Sequence, residues 1–175
     1  MPRLRVEQQE FLFADGWQAI KYDDEAFRKE KLGDDEAVDI VALSPRGTLY
    51  FIEVKDYRGP ERSQVHRALV SSGELFVKIG RKVRFTVAGL IGGGVRWHDS
   101  HPHLRPFAEA LADPACEIHV VAWIENDYQG LRDPARARLT SGTDLFKKHV
   151  RWLRARALVT SSQAPAPIVG LTVSD

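Results

Sequence analysis

A single cysteine and a single methionine stand among 175 residues. With Cys116 alone, no disulfide can form within the chain, and no cysteine-based zinc cluster can assemble from one copy. No apolar run reaches the roughly 18 residues that a membrane span needs. The first residues also lack the apolar stretch of a secretory leader. The expectation is a cytoplasmic protein without membrane attachment. Charge of one sign is missing as well: 25 Lys and Arg face 24 Asp and Glu, a net charge of +1. That excludes a wholesale polycation coating nucleic acid or a membrane surface. No internal repeat is visible.

What is present is ordinary: 43% hydrophobic and 28% charged residues, in a length that suits one domain with a sizeable core. The reading is a single domain over 1–160, followed by 161–175 as a Ser/Pro/Ala linker and a C-terminal tail or edge strand. Charge is distributed unevenly along it. Acids dominate from Glu7 to Asp39, and bases from Arg132 to Arg156.

Arg3 to Ala14 carries Val6, Glu7, Glu10, Phe11 and Ala14 at three- and four-residue spacing, which predicts a helix ended by Asp15-Gly16. Trp17 to Tyr22 predicts a short strand, and Asp23 to Glu36 a loop with a short helix around Ala26 to Glu30. Glu61 to Ser72 is a short helix or an ordered loop. Gly73 to Ile91 follows a helical stripe of Phe76, Ile79, Val83, Val87 and Leu90, with Gly92-Gly93-Gly94 as its stop. Phe107 to Ala112 predicts a short helix and Glu117 to Ile124 a strand. Asp127 to Gly142 is irregular or a short helix. From Thr143 to about Leu158 the residues Phe146, Val150, Leu153 and Ala157 predict a second long helix.

The most informative stretch is Ala37 to Tyr57, AVDIVALSPRGTLYFIEVKDY. It reads as a β-hairpin turning at Ser44-Pro45-Arg46-Gly47. Symmetric pairing about Arg46 sets Asp39 opposite Glu53, Val41 opposite Phe51 and Leu43 opposite Leu49. Directly opposed residues share a face. One face then carries Leu43, Val41, Leu49 and Phe51 and ends in Asp39, Glu53 and Lys55; the other carries Ile40, Ala42, Tyr50, Ile52 and Val54. Both are apolar, so the hairpin belongs in the middle of a sheet covered on both sides. Two carboxylates and an ammonium at one end of a buried face are costly unless they bind something.

Asp39, thirteen intervening residues and then Glu53-Val54-Lys55 resemble the motif of the PD-(D/E)xK nuclease superfamily. The resemblance covers about two thirds of the chain, Arg3 to Ile124. It implies an α/β fold with the restriction-endonuclease-like core, αβββαβ, in which a mixed central sheet is flanked by helices. Carried over by position, Asp39 is the acid of the second core strand, and Glu53 and Lys55 are the E-x-K pair of the third. The glutamate that many members place on the first helix falls on Glu7, with Glu10 the other candidate. Val38 stands where the motif has its proline. The implied activity is metal-dependent nuclease action, on DNA more than RNA.

The residue types suit that chemistry. Mg²⁺ or Mn²⁺ held by one or two carboxylates keeps several waters and an open position for a phosphate. Asp39 and Glu53 would bridge it, with the Val54 carbonyl completing the protein ligands. Lys55 would orient the attacking water or stabilise developing negative charge. The bland alternative is a solvated sheet face, since D…E-x-K is a loose pattern.

Outside the hairpin, Lys147, Arg151 and Arg154 at i, i+4 and i+7, with Lys148 beside them, form a candidate phosphate-tracking face on the basic helix. Lys78, Arg81 and Lys82 are a second such stripe. His98, His101 and His103 read as solvent-facing loop residues rather than a zinc site. The rival to a nuclease is a non-catalytic module on the same fold, binding nucleic acid or a protein. A nuclease subunit that needs a partner, or a homodimer with two sites for two strands, is also open.

Overall fold

A computed structural model describes residues 1–33, 36–127, 143–162 and 168–174. At its centre is the hairpin. Strands β4 (Ile40–Leu43) and β5 (Leu49–Asp56) pair antiparallel in the register Val41↔Phe51 and Leu43↔Leu49. β3 (Gln18–Lys21) adds antiparallel to β4, while β6 (Ile118–Glu125) and then β7 (Arg156–Thr160) add parallel to β5. The result is a mixed five-stranded sheet in the order β3-β4-β5-β6-β7.

Both faces of the hairpin are covered, as its two apolar faces require. Val41, Leu49 and Phe51 pack with Phe76, Ile79 and Val83 of a helical layer. That layer contains α2 (Pro60–Ser72), α3 (Glu74–Ile91), α4 (Arg105–Ala112) and α5 (143–150); a shorter helix, α1 (Ala26–Lys31), lies between β3 and β4. On the other face, Ile40, Ala42, Ile52 and Val54 pack with Phe11 and Phe13 of a small antiparallel sheet. This second sheet has the order β1-β2-β8, from β1 (Arg3–Val6), β2 (Gln9–Phe13) and β8 (Leu171–Ser174). Three layers result: helices, mixed sheet and small sheet.

Two sequence expectations are corrected. Arg3–Ala14 is not a helix but the β1–β2 hairpin, so Glu7 lies in a two-residue turn and not on a helix. Its true period is two, with Phe11 and Phe13 facing the core. The turn at Glu7-Gln8 has no Gly, Asn or Pro to mark it, and splicing two strands across it produced a false helical spacing. At the other end, helix α5 stops at residue 150, followed by a 3₁₀ turn and Arg154 at φ 54°. Residues 156–160 are a strand instead. Phe146, Val150, Leu153 and Ala157 all reach the same core, but from three elements: α5, the 3₁₀ turn and β7.

The segment Ile168 to Val173, open between tail and edge strand, contributes β8 against β2. The expectation for Asp127–Gly142 falls almost wholly outside the described residues. No helix among them is long and apolar enough to cross a membrane.

Candidate active site

Strand β5 outruns β4. The ladder between them ends at Ile40↔Ile52, so residues 53–56 of β5 have no backbone partner on that side among the described residues. Side-chain carboxylates take over. Asp39, the next residue back from Ile40, accepts the Val54 N–H through Oδ2 at 2.6 Å. Glu7, reaching across from the β1–β2 turn, accepts the Asp56 N–H through Oε2 at 2.9 Å. Asp39 is held from behind as well, because its carbonyl accepts the Tyr22 N–H at 2.8 Å. Glu7 adopts a left-handed φ of 52°, unusual without glycine, and its carboxylate contact helps hold it there.

Alternation along β5 turns Glu53 and Lys55 to the helical face. Glu53 is 1% exposed. Its Oε1 meets the ammonium of Lys55 at 2.8 Å and that of Lys82, from α3, also at 2.8 Å. Its Oε2 is buried with no hydrogen-bond partner among the described residues. Lys82 is brought there by Thr86, one turn further along α3, whose hydroxyl donates to the Lys82 carbonyl and accepts the Val38 N–H at 3.0 Å. Helix α3 is thereby tied to the residue before Asp39.

The electrostatics follow from burial. Burial first, and then the charge of Glu53, push the Asp39 carboxyl up to about 6; the Val54 N–H, Lys55 and Lys82 pull the other way. For Lys55, burial acts to lower the pKa. The charge and hydrogen bond of Glu53, with the charges of Asp39 and Glu7, more than offset it, and the pKa is raised. The Glu53 contact thus favours the ammonium form of Lys55 in this site. Asp23, in the 3₁₀ turn Tyr22–Asp24 that precedes α1, is a further acid near Asp39. Burial and the Asp39 charge raise its pKa, and its Oδ1 has no partner among the described residues.

The raised Asp39 value has a measurable consequence. An unfolded Asp titrates near 3.9. Between about pH 4 and 6 the folded protein therefore holds a proton that the unfolded chain has released. The Asp39 contribution to stability falls as pH rises through that window. Asp39→Asn removes this dependence, so relative to the wild type it is expected to gain up to roughly 3 kcal/mol between pH 4 and 7 without metal. Urea melts across that range measure it; parallel curves for the two proteins would refute the assignment.

A cavity of about 620 Å³ opens beside Lys55, with Glu7, Tyr57, Glu61 and Arg62 also on its wall. A second, of about 440 Å³, is lined by Lys82, Arg28, Lys29 and Asp23. The structure thus joins Asp39, Glu53 and Lys55, adds Glu7 through a backbone N–H, and sets a cavity on each side. The Val54 N–H and C=O turn toward Asp39, since alternate β5 residues present their backbone to the β4 side.

Lys147, Lys148, Arg151 and Arg154 are exposed, and Lys147 pairs with Asp144 at 3.1 Å. Their shared helical stripe does not persist, because α5 ends before Arg151. Arg154 leads into β7 level with His119 and Tyr50, the end of the sheet opposite Lys55. In the histidine loop, His103 meets Glu25 at 2.8 Å and His101 stacks edge-on against Phe27.

Sequence reasoning placed Lys82 on a surface stripe and did not single out Asp23; only the packing of α3 and α1 shows either at the site. A second buried polar group, on the opposite sheet face, was also missed. Asp56 there is lowered to about 2, chiefly by hydrogen bonds from Arg58, and Glu125 accepts from Trp123 and Ser162. These groups are satisfied and structural in character.

Among the described residues no group of three or more His, Cys, Asp or Glu side chains is arranged to hold a metal ion. Two carboxylates are present, and the unpartnered Glu53 Oε2 beside a carboxyl raised by burial and like charge fits a divalent cation completed by water. In comparisons with protein-family models, curated proteins and solved structures, the chain matches none.

Proposed function

We propose that this chain is a metal-dependent nuclease of the PD-(D/E)xK type, hydrolysing phosphodiester bonds in nucleic acid, in DNA more than in RNA. One observation carries the reading. Two buried carboxylates, one with an unpartnered oxygen, meet a lysine held as ammonium at the wall of a cavity. On this reading β3, β4, β5, α3 and β6 are the restriction-endonuclease-like core, and the β1–β2 hairpin stands where that core has its first helix.

Asp39, Glu53 and the Val54 carbonyl would hold Mg²⁺ or Mn²⁺, which supplies an activated water and neutralises charge on the phosphate. Asp39 keeps Oδ2 on the Val54 N–H, which fixes its other oxygen in place. Lys55 donates toward the non-bridging phosphate oxygens as negative charge builds there. Glu7 braces the end of β5 beneath Lys55 and acts by position. Arg62, on the wall of the same cavity, is placed to meet an adjoining phosphate. A cytoplasmic location belongs to the same reading.

The test is direct. Purified protein should nick or degrade single- or double-stranded DNA with Mg²⁺ or Mn²⁺ and stop when EDTA is added. Protein that is folded yet cuts neither DNA nor RNA with either metal would remove the enzymatic claim. A second reading, a binding module on the same fold, is favoured by one fact: Glu53 Oε1 already has two ammonium partners, and Asp39 and Glu7 already cap backbone N–H groups. It predicts salt-sensitive binding of nucleic acid without cleavage.

A further inference from the structure

The site carries one more cation than the proposed chemistry uses. Lys55 and Lys82 both place their ammonium groups 2.8 Å from the same oxygen, Glu53 Oε1. The four charges closest to Glu53, those of Asp39 and Glu53 against Lys55 and Lys82, sum to zero, with Glu7 and Asp23 as further acids around them. A divalent ion arriving at Glu53 and Asp39 would leave a largely buried group with an excess of two positive charges, which low-dielectric surroundings penalise. Moving one ammonium away from Glu53 would relieve that excess.

Geometry distinguishes the two. Lys55 lies two residues from Glu53 on the same strand, and the charges of Asp39 and Glu7 also favour it where it stands. Lys82 arrives from α3, on the facing layer, and its side chain lines the cavity of about 440 Å³ that it shares with Arg28 and Lys29. That cavity gives the ammonium somewhere to go without moving the backbone, which Thr86 fixes at Val38.

We propose that Lys82 is a built-in counter-cation for Glu53 which a divalent metal displaces, so that metal loading and release of the Lys82 ammonium into the adjoining cavity are one event. The inference rests on the metal-dependent reading of the site. Without metal, Lys82 keeps Glu53 from standing as a half-compensated buried charge. With metal, the same ammonium joins a cavity wall that carries Arg28 and Lys29 together with the carboxylates of Asp23 and Glu36, where Asp23 Oδ1 can accept it. The two cations exclude each other at Glu53, so removing one must favour the other; couplings of this kind usually amount to about 5- to 150-fold.

Isothermal titration of the full chain with Mn²⁺ alone, without nucleic acid, is the test. Lys82→Met keeps the length and apolar stem but not the charge, and is expected to bind Mn²⁺ about tenfold or more tightly than the wild type. Lys82→Arg should stay near the wild-type value. Equal or weaker binding by a folded Lys82→Met overturns the proposal. If the wild type binds metal and cleaves while Lys82→Met gains nothing, the displacement idea alone fails. If neither protein binds Mn²⁺ or cleaves, the metal-dependent reading fails with it.

A second measurement covers the case in which Lys82→Met does not fold. In the wild type, lysine side-chain NMR signals followed through a Mg²⁺ titration should show the Lys82 signal moving toward that of solvated lysine while Lys55 stays perturbed. Saturation with Mg²⁺ while the Lys82 signal stays in place would overturn the proposal.

Discussion

Lys55→Met is expected to lower the rate of metal-dependent cleavage by about a hundred- to a thousandfold, with the fold intact and metal affinity no weaker than in the wild type. The magnitude is that of removing one preorganised donor from a site where charge develops in the transition state. Lys55 meets the conditions for such a donor. It is kept protonated by Glu53, it is fixed at 2.8 Å from that carboxylate, and it stands on the wall of a cavity. Methionine fills a similar volume and donates nothing. Single-turnover cleavage, with metal binding measured in parallel, separates loss of chemistry from loss of the ion. A Lys55→Met protein that cleaves at the wild-type rate would place Lys55 outside the machinery. Because the Lys55 pKa is raised, its deprotonation should not shape the rate between pH 6 and 9.

Gly94→Ala is expected to cost about 2 kcal/mol of stability, lowering the melting temperature by roughly 4–8 °C for a domain of this size. The glycine run was read from sequence as a helix stop, and α3 does end at Ile91. The chain nevertheless continues through one wider π-type turn, Gly92–Arg96. The glycines are there for proximity. A Cβ on Gly94 would stand 2.6 Å from the Ala108 Cβ and 2.8 Å from the Leu104 carbonyl oxygen, and neither is the end of a flexible side chain. Overpacking of this kind costs about 1–3 kcal/mol, more than the gain of up to ~1 kcal/mol that alanine brings in a helical turn. Thermal melts decide it, and an unchanged melting temperature would mean that α4 is free to move away.

The parts that the sequence made legible share one property: their signals are local. The β4–β5 hairpin announces itself by a Pro-Arg-Gly turn between two β-branched runs, and symmetry about Arg46 is enough to fix its register. Asp39, Glu53 and Lys55 came with it. Lys82 did not, because nothing in positions 74–91 tells which way α3 lies across the sheet. Its stripe of Phe76, Ile79 and Val83 shows which face is buried but not what faces Lys82 at the border. Asp23 was hidden for a like reason, in a short turn whose only sequence signature is charge. The N-terminal hairpin was misread because Glu7 occupies a position where glycine or asparagine usually marks the turn. The boundary after residue 150 was missed because core residues from a helix and from the following strand fall by coincidence at helical intervals.

The overhang of β5 past β4 also sets how many oxygen atoms the site can offer. Asp39 has one oxygen committed to the Val54 N–H, and Glu53 has one committed to ammonium. Each carboxylate therefore offers one oxygen clear of those partners, and binding through both oxygens would bring an ion onto an atom that already accepts an N–H or an ammonium. A pair of one-toothed carboxylates leaves most of an ion's coordination shell to water and substrate. Mg²⁺, small, octahedral and reluctant to shed its waters, suits that arrangement, whereas Ca²⁺ takes six to eight oxygens and often two from one carboxylate. If the site holds an ion as proposed, the short ladder of β4 would favour a small ion that keeps its waters over a larger one, a preference set where two strands stop pairing.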